Sequence, residues 1–179
     1  MIENFSDIKL LAMDCDGVLT DGGIYIGDDG TESRKFNVKD GAWLRIWKRL
    51  GLETAIITGK ESDALARRAK DLDIDYLYQK AHYKAEAFEK LLADSSLAAR
   101  QMVYIGDDII DLPVMREVGF SVAVADAVDE VKQLADWVTS RNGGQGAVQE
   151  TIHYLLEKMG LRNQALQRYH NKDLSTKTQ

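Results

Sequence analysis

Asp14 and Asp16 stand two residues apart, directly after the apolar run Ile8–Met13. In extended backbone, side chains at i and i+2 face the same side. One carboxylate can then serve as nucleophile or metal ligand while the other moves protons. Further polar groups follow later apolar runs. Thr58 follows Thr54–Ile57, Lys84 comes after Tyr76–Tyr78, and Asp107 and Asp108 follow Met102–Ile105, with Asp111 a turn later. If these runs are parallel strands, all of these groups crowd one sheet edge. Carboxylates gathered there repel one another unless a cation joins them. Oxygen-only ligands select Mg²⁺, which takes a few carboxylates together with water and a phosphate. The Thr58 hydroxyl and the Lys84 ammonium suit the equatorial oxygens of a phosphoryl group in transfer. The set supports one chemistry well, an aspartyl-phosphate route. Asp14 attacks phosphorus, and Asp16 protonates the leaving alkoxide and then activates water.

Such a set needs elements that deliver it. Strand-like and helix-like segments alternate along the chain. A glycine-turned β-hairpin is expected over Gly22–Val38, with arms at Ile24–Ile26 and Lys35–Val38. Helices are expected over Asp40–Leu50, from a Ser62 cap to Leu72, and over Lys84–Leu92, Val114–Val118, Ala127–Leu134 and Ala147–Met159. Ser121–Val124 and Trp137–Thr139 complete the strands. This order predicts a three-layer, Rossmann-like α/β fold with a mostly parallel sheet. Ligands in such folds bind beyond the carboxyl ends of the strands.

Composition narrows the function classes. A chain of 179 residues with one cysteine makes one domain and excludes an internal disulfide or a multi-cysteine zinc site. The net charge of -6 argues against nucleic acid or an anionic membrane as partner. Met1–Asp7 is polar and no apolar run is long enough to span a bilayer, which makes the cytoplasm the expected compartment. His82, His153 and His170 are scattered without metal-ligand spacing. Cys15 should point away from its flanking aspartates as a buried thiol. Trp43, Trp47 and Tyr76 read as core or subunit-contact residues, and at most one of Arg67 and Arg68 should face the site.

The segments Asp14-Cys15-Asp16-Gly17-Val18-Leu19-Thr20-Asp21, Thr58-Gly59, Lys84 and Gly106-Asp107-Asp108-Ile109-Ile110-Asp111 match, in order, the four motifs of the haloacid-dehalogenase-like phosphohydrolases. More narrowly, residues 6–160 resemble the 3-deoxy-D-manno-octulosonate 8-phosphate phosphatases, with further matches at Phe36–Gly41, Ser121–Ala127 and Gly143–Val148. The resemblance implies Asp14 as nucleophile and Asp16 as acid/base. It implies Mg²⁺ on the Asp14 carboxylate, the Asp16 carbonyl and Asp107, with Asp108 and Asp111 in support. Substrate contacts are implied at Asn37, Val38, Lys39, Asp40, Gly41, Arg45, Lys60, Arg68 and Lys84. The implied substrate is a small anionic sugar-acid phosphate of lipopolysaccharide precursor synthesis.

The chain departs from this family's pattern at Lys39 and Lys60, where arginine is usual, and at Gln145 and Gln149, where two further arginines are usual. Lysine keeps the charge but loses the planar fork that grips a carboxylate, and glutamine loses the charge. A nine-carbon sialic-type acid 9-phosphate is therefore the competing substrate, although Lys60 leans toward the octulosonate. A phospho-acceptor signalling domain is the competing reading from another class, with its acidic groups in a different order. The spacings leave no room for an inserted cap domain. A neighbouring subunit should then wall the site, with the hairpin as contact element; the resemblance implies a homotetramer. One phosphatase domain over 1–160 and a basic tail over 161–179 are expected, the tail being either frayed or folded over a neighbour's site.

Overall fold

A computed structural model of the chain describes residues 4–170. Its strands are β1 (Leu10–Met13), β2 (Tyr25–Ile26), β3 (Glu32–Ser33), β4 (Glu53–Ile57), β5 (Tyr76–Tyr78), β6 (Met102–Gly106), β7 (Phe120–Ala123) and β8 (Trp137–Val138). The helices are α1 (Val38–Arg49), α2 (Asp63–Leu72), α3 (Lys84–Ser95), α4 (Leu112–Met115), α5 (Asp129–Leu134), α6 (Ala147–Lys158) and α7 (Arg162–His170). Six strands form one parallel sheet in the order β5-β4-β1-β6-β7-β8. The expected three-layer α/β architecture is the one found. Among the described residues, no helix is long and apolar enough to cross a membrane.

Every residue of β1 and β6 is buried, as continuous apolar runs require when helices cover both sheet faces. On one face α1, α2, α6 and α7 pack on one another, and α3, α4 and α5 form the other layer. Trp47 lies fully buried and donates its indole N–H to the Glu53 carbonyl at 2.9 Å. Trp43 instead packs edge-on against His153, with ring centroids 3.8 Å apart.

The chain leaves β1 toward β4 and β5, then returns to the other side of β1 as β6, β7 and β8. The switch point therefore falls between β1 and β6, where a parallel sheet opens its ligand crevice. Asp14 and Asp107 are the first residues beyond these two strands.

Each short outer strand is stapled to its inner neighbour at its start. Asp75, just before β5, accepts the Thr54 backbone N–H at 2.8 Å and the Thr54 hydroxyl at 3.1 Å. Asp136, just before β8, takes the same two bonds from Ser121 at 2.8 and 2.9 Å.

Three expectations change. The hairpin arms are shorter, with Tyr25 opposite Ser33 and Ile26 opposite Glu32. A turn closed by the Gly27 N–H on the Thr31 carbonyl sets that register, so Lys35–Val38 lies beyond the ladder. Phe36 bridges Thr20, and Asn37 caps α1 by accepting the Lys39 N–H at 2.8 Å, which makes Val38 helical. The third change concerns the tail. Residues 162–170 form α7, packed on α1 and α6 with Ala165 buried, rather than a frayed end. Lys172, Asp173 and Lys177, expected in the basic tail, lie outside the described residues.

Candidate active site

Asp14 continues the β1 ladder, its N–H donating to the Ile105 carbonyl at 3.0 Å. The chain then curls about one acceptor: the N–H groups of Val18, Leu19 and Thr20 all point at the Cys15 carbonyl. Cys15 is fully buried between the two aspartates, and burial pushes its thiol pKa up. It is the inert, inward-facing thiol expected.

Lys84 opens α3 and is only 2 % exposed. A buried cation at a helix N-terminus works against both desolvation and the helix dipole. Two carboxylates offset this, Asp14 Oδ2 at 2.8 Å and Asp111 Oδ1 at 2.6 Å. Asp111 is also fully buried and has no oxygen to spare. Its Oδ1 additionally accepts the Tyr104 hydroxyl at 2.7 Å, and its Oδ2 accepts the backbone N–H groups of Asp107 and Asp108 at 3.0 and 3.3 Å. Asp111 thus holds Lys84 and the loop after β6 in one place. Asp108 is exposed and caps the following turn through the Ile109 N–H at 2.7 Å.

Carboxylate oxygens of Asp14, Asp107 and Asp111 all lie within 4.8 Å of one another. Asp107 Oδ1 is buried and has no hydrogen-bond partner among the described residues. Burial and the neighbouring Asp14 and Asp111 push the Asp107 pKa up to about 8. That of Asp14 is also raised, by burial, against the pull of Lys84. A buried, unpaired carboxylate beside another is the donor set a divalent cation completes. With Asp111 saturated, Asp14 and Asp107 are the carboxylates free to take it.

Thr58, buried just past β4, is fixed by its backbone, which donates to the Tyr78 carbonyl at 2.9 Å and accepts the Ala81 N–H at 3.0 Å. Its hydroxyl makes no hydrogen bond within the described residues. Asp14, Lys84 and Asp107 therefore meet beyond the carboxyl ends of β1 and β6, and Asp16 and Thr58 lie on the same sheet edge, just past β1 and β4.

The late glycine loop packs directly on the loop after β1. Gly144 donates its N–H to the Val18 carbonyl at 2.9 Å, and a Cβ at Gly143 would lie 1.7 Å from the Gly17 carbonyl oxygen. Asn37 joins that contact, donating its side-chain amide to the Gly144 carbonyl at 3.2 Å. Arg68 reaches the Asn37 carbonyl at 3.4 Å and stacks over Phe36, with Gly41 leaving room for its guanidinium. Val38 and Lys39 are exposed on this rim beside Asn37, and Lys60, two residues past Thr58, is also exposed.

Two expected substrate contacts are engaged elsewhere. Asp40 is buried and accepts the Gln149 N–H at 2.8 Å, capping α6. Arg45 donates to the Asp71 carbonyl, in the last turn of α2. That is the end of α2 opposite Ser62 and the strand exits, where a cation complements the helix dipole. The structure does not bring Arg45 to the rim.

Two residues escaped the reading of the chain. Tyr104 sits in an apolar strand and signals only core, yet its hydroxyl reaches Asp111 and lies 3.4 Å from Lys84 Nζ. Arg34 is a single basic residue in a polar hairpin, yet its Nε bonds Asp16 Oδ1 at 2.7 Å.

Residues 72–152 match the model of a family described as haloacid dehalogenase-like hydrolase. The 3-deoxy-D-manno-octulosonate 8-phosphate phosphatase of Escherichia coli (strain K12) is 44% identical over 165 residues, 92% of this chain and 88% of that protein. A probable YrbI family phosphatase from Pseudomonas syringae pv. phaseolica 1448a superposes with a TM-score of 0.91 at 39% identity, over 95% of this chain and 97% of that one. The 3-deoxy-D-manno-octulosonate 8-phosphate phosphatase of Moraxella catarrhalis, solved with magnesium ion, phosphate ion and a KDO molecule, superposes with a TM-score of 0.90 at 36% identity, over 93% of this chain and 95% of that one.

Proposed function

Because the chain belongs to the 3-deoxy-D-manno-octulosonate 8-phosphate phosphatases, within the haloacid dehalogenase-like hydrolases, we infer that it hydrolyses that sugar-acid phosphate through an aspartyl-phosphate on Asp14. The observation that carries the mechanism is the buried Asp14–Lys84 pair set beside the unpartnered Asp107 Oδ1.

An Asp14 carboxylate oxygen attacks phosphorus and the bond to the sugar oxygen breaks. Asp16 gives its proton to that leaving oxygen. In the second half, water attacks the phosphoryl group and passes a proton to Asp16, the Asp14–phosphorus bond breaks and phosphate departs. Lys84 and the Thr58 hydroxyl hold the transferring oxygens, where fixed donors act most strongly on developing charge. Asp111 and Tyr104 keep Lys84 in place. A Mg²⁺ ion held by the Asp14 and Asp107 carboxylates and the Asp16 carbonyl would offset the negative charge of nucleophile and phosphate. Asp108 supports that loop through its cap.

The rim of Asn37, Val38, Lys39, Gly41, Lys60 and Arg68 faces the sugar acid, with lysines supplying point charges. The hairpin exposes Ile24, Tyr25 and Ile26, the last 76 % accessible, and we assign it as a contact between subunits of a homotetramer. The compartment is the cytoplasm and the pathway is that of lipopolysaccharide precursors.

Phosphate release tests the reading, with Mg²⁺ and with EDTA, on octulosonate 8-phosphate, a nine-carbon acid 9-phosphate and simple sugar phosphates. A Mg²⁺-dependent preference for the octulosonate is expected. Preference for the nine-carbon acid moves the substrate and keeps the mechanism. A long-lived phosphoenzyme without turnover would overturn the hydrolase reading.

A further inference from the structure

We propose that Arg34 is the positioning residue of the acid/base: it ties Asp16 Oδ1 to the cap of α2 and leaves Oδ2 as the oxygen that carries the proton. This rests on the assignment of Asp16 as the acid/base.

Arg34 follows β3, and its side chain is 2 % exposed although it belongs to a surface hairpin. Its guanidinium forks. Nε meets Asp16 Oδ1 at 2.7 Å, while Nη1 meets Ser62 Oγ at 2.8 Å and Glu32 Oε1 at 2.6 Å. Ser62 is itself fixed from two sides. Its hydroxyl accepts the Leu65 N–H at 3.3 Å as the α2 cap, and its own N–H donates to Gln79 Oε1 at 2.7 Å. The fork therefore spans from a rigid helix start to a carboxylate on a loop.

Among the described residues, Arg34 is the one side chain bonded to the Asp16 carboxylate. Without it, that carboxylate has rotamer freedom and no anchor, and proton transfer depends on a donor held within hydrogen-bond reach of the leaving oxygen. With Oδ1 occupied, Oδ2 has no protein partner among the described residues. The proton on Oδ2 passes to the sugar oxygen as its bond to phosphorus breaks and the Asp14–phosphorus bond forms. The attacking water then returns a proton to Oδ2. A planar guanidinium can hold Asp16 and Ser62 together; an ammonium is a single point of contact.

The test compares two leaving groups. A sugar alkoxide needs a proton to depart, whereas the phenolate of p-nitrophenyl phosphate does not. kcat/KM for the best-used sugar phosphate should fall about 10- to 100-fold in Arg34→Gln, while that for p-nitrophenyl phosphate stays within about threefold. Arg34→Lys should show the same split at smaller size, and it carries the test if the glutamine variant does not fold. Asp16→Asn should show the split at full size. Equal losses on both phosphates in the Arg34 variants would mean a purely structural role, and parental values on both would also overturn the proposal. If Asp16→Asn itself shows no split, the acid/base assignment fails instead, and the proposal with it.

Discussion

A Cβ on Gly17 would lie 2.0 Å from Asp107 Oδ2, so the turn just after Asp16 and the carboxylate after β6 share a space that only a glycine leaves open. Gly17 also has φ of +93°, which other residues adopt at a cost. Gly17→Ala should destabilise the chain by roughly 1–3 kcal/mol and displace Asp107. Thermal unfolding and a metal titration check this. The relationship fails if the variant keeps parental metal affinity.

Asp14→Asn removes the attacking oxygen but keeps the shape of the side chain. Turnover should drop to about a thousandth or less, while the fold persists, because Asp111 still pairs with the buried Lys84. Phosphate release and a melting curve separate the two effects. Substantial residual activity would remove Asp14 as nucleophile.

Asp107 links metal binding to pH. Its folded pKa of about 8 lies above the usual carboxylate value, roughly 4. The metal-free folded chain therefore holds this proton more tightly than the unfolded chain. Its stabilising contribution is full below about pH 4 and is lost as pH rises through about 8. A cation needs the carboxylate ionised, so Mg²⁺ affinity should rise as pH climbs toward 8, with proton release on binding that disappears above it. Titrations in weak buffer at acidic and alkaline pH measure both. Asp107→Ala should bind Mg²⁺ far more weakly, and excess Mg²⁺ should restore part of its activity.

Tyr104→Phe deletes the hydroxyl that shares Asp111 Oδ1 with Lys84. A buried acceptor losing one donor costs about 1–3 kcal/mol. kcat should fall more than KM rises, since Lys84 is loosened rather than removed. A variant with parental stability and kcat would show that Lys84 needs no such support.

Some of this was legible along the chain. Asp14, Asp16, Thr58, Lys84 and Asp107 each follow an apolar run, so the parallel sheet alone brings them to one edge. Arg34 is different. Its partner Asp16 is 18 residues away and Ser62 is 28, across a hairpin whose register depends on one turn. No periodicity marks it. Tyr104 is hidden for the opposite reason, because β6 is apolar throughout and its single hydroxyl looks like one more buried aromatic. The helix α7 was misread because Arg162–His170 is mostly polar; its anchoring depends on the buried Ala165 and on tertiary contact with α1 and α6. Arg45 shows the limit of reading by resemblance, since a matching position fixes neither which way a side chain turns nor which helix end it reaches.

The staples of Asp75 on Thr54 and Asp136 on Ser121 sit where the outer strands begin, and the chemistry sits where the inner strands end. The register of the sheet is thus pinned at the end away from the chemistry, so the exposed Lys39 and Lys60 can be exchanged without loosening the strands beneath.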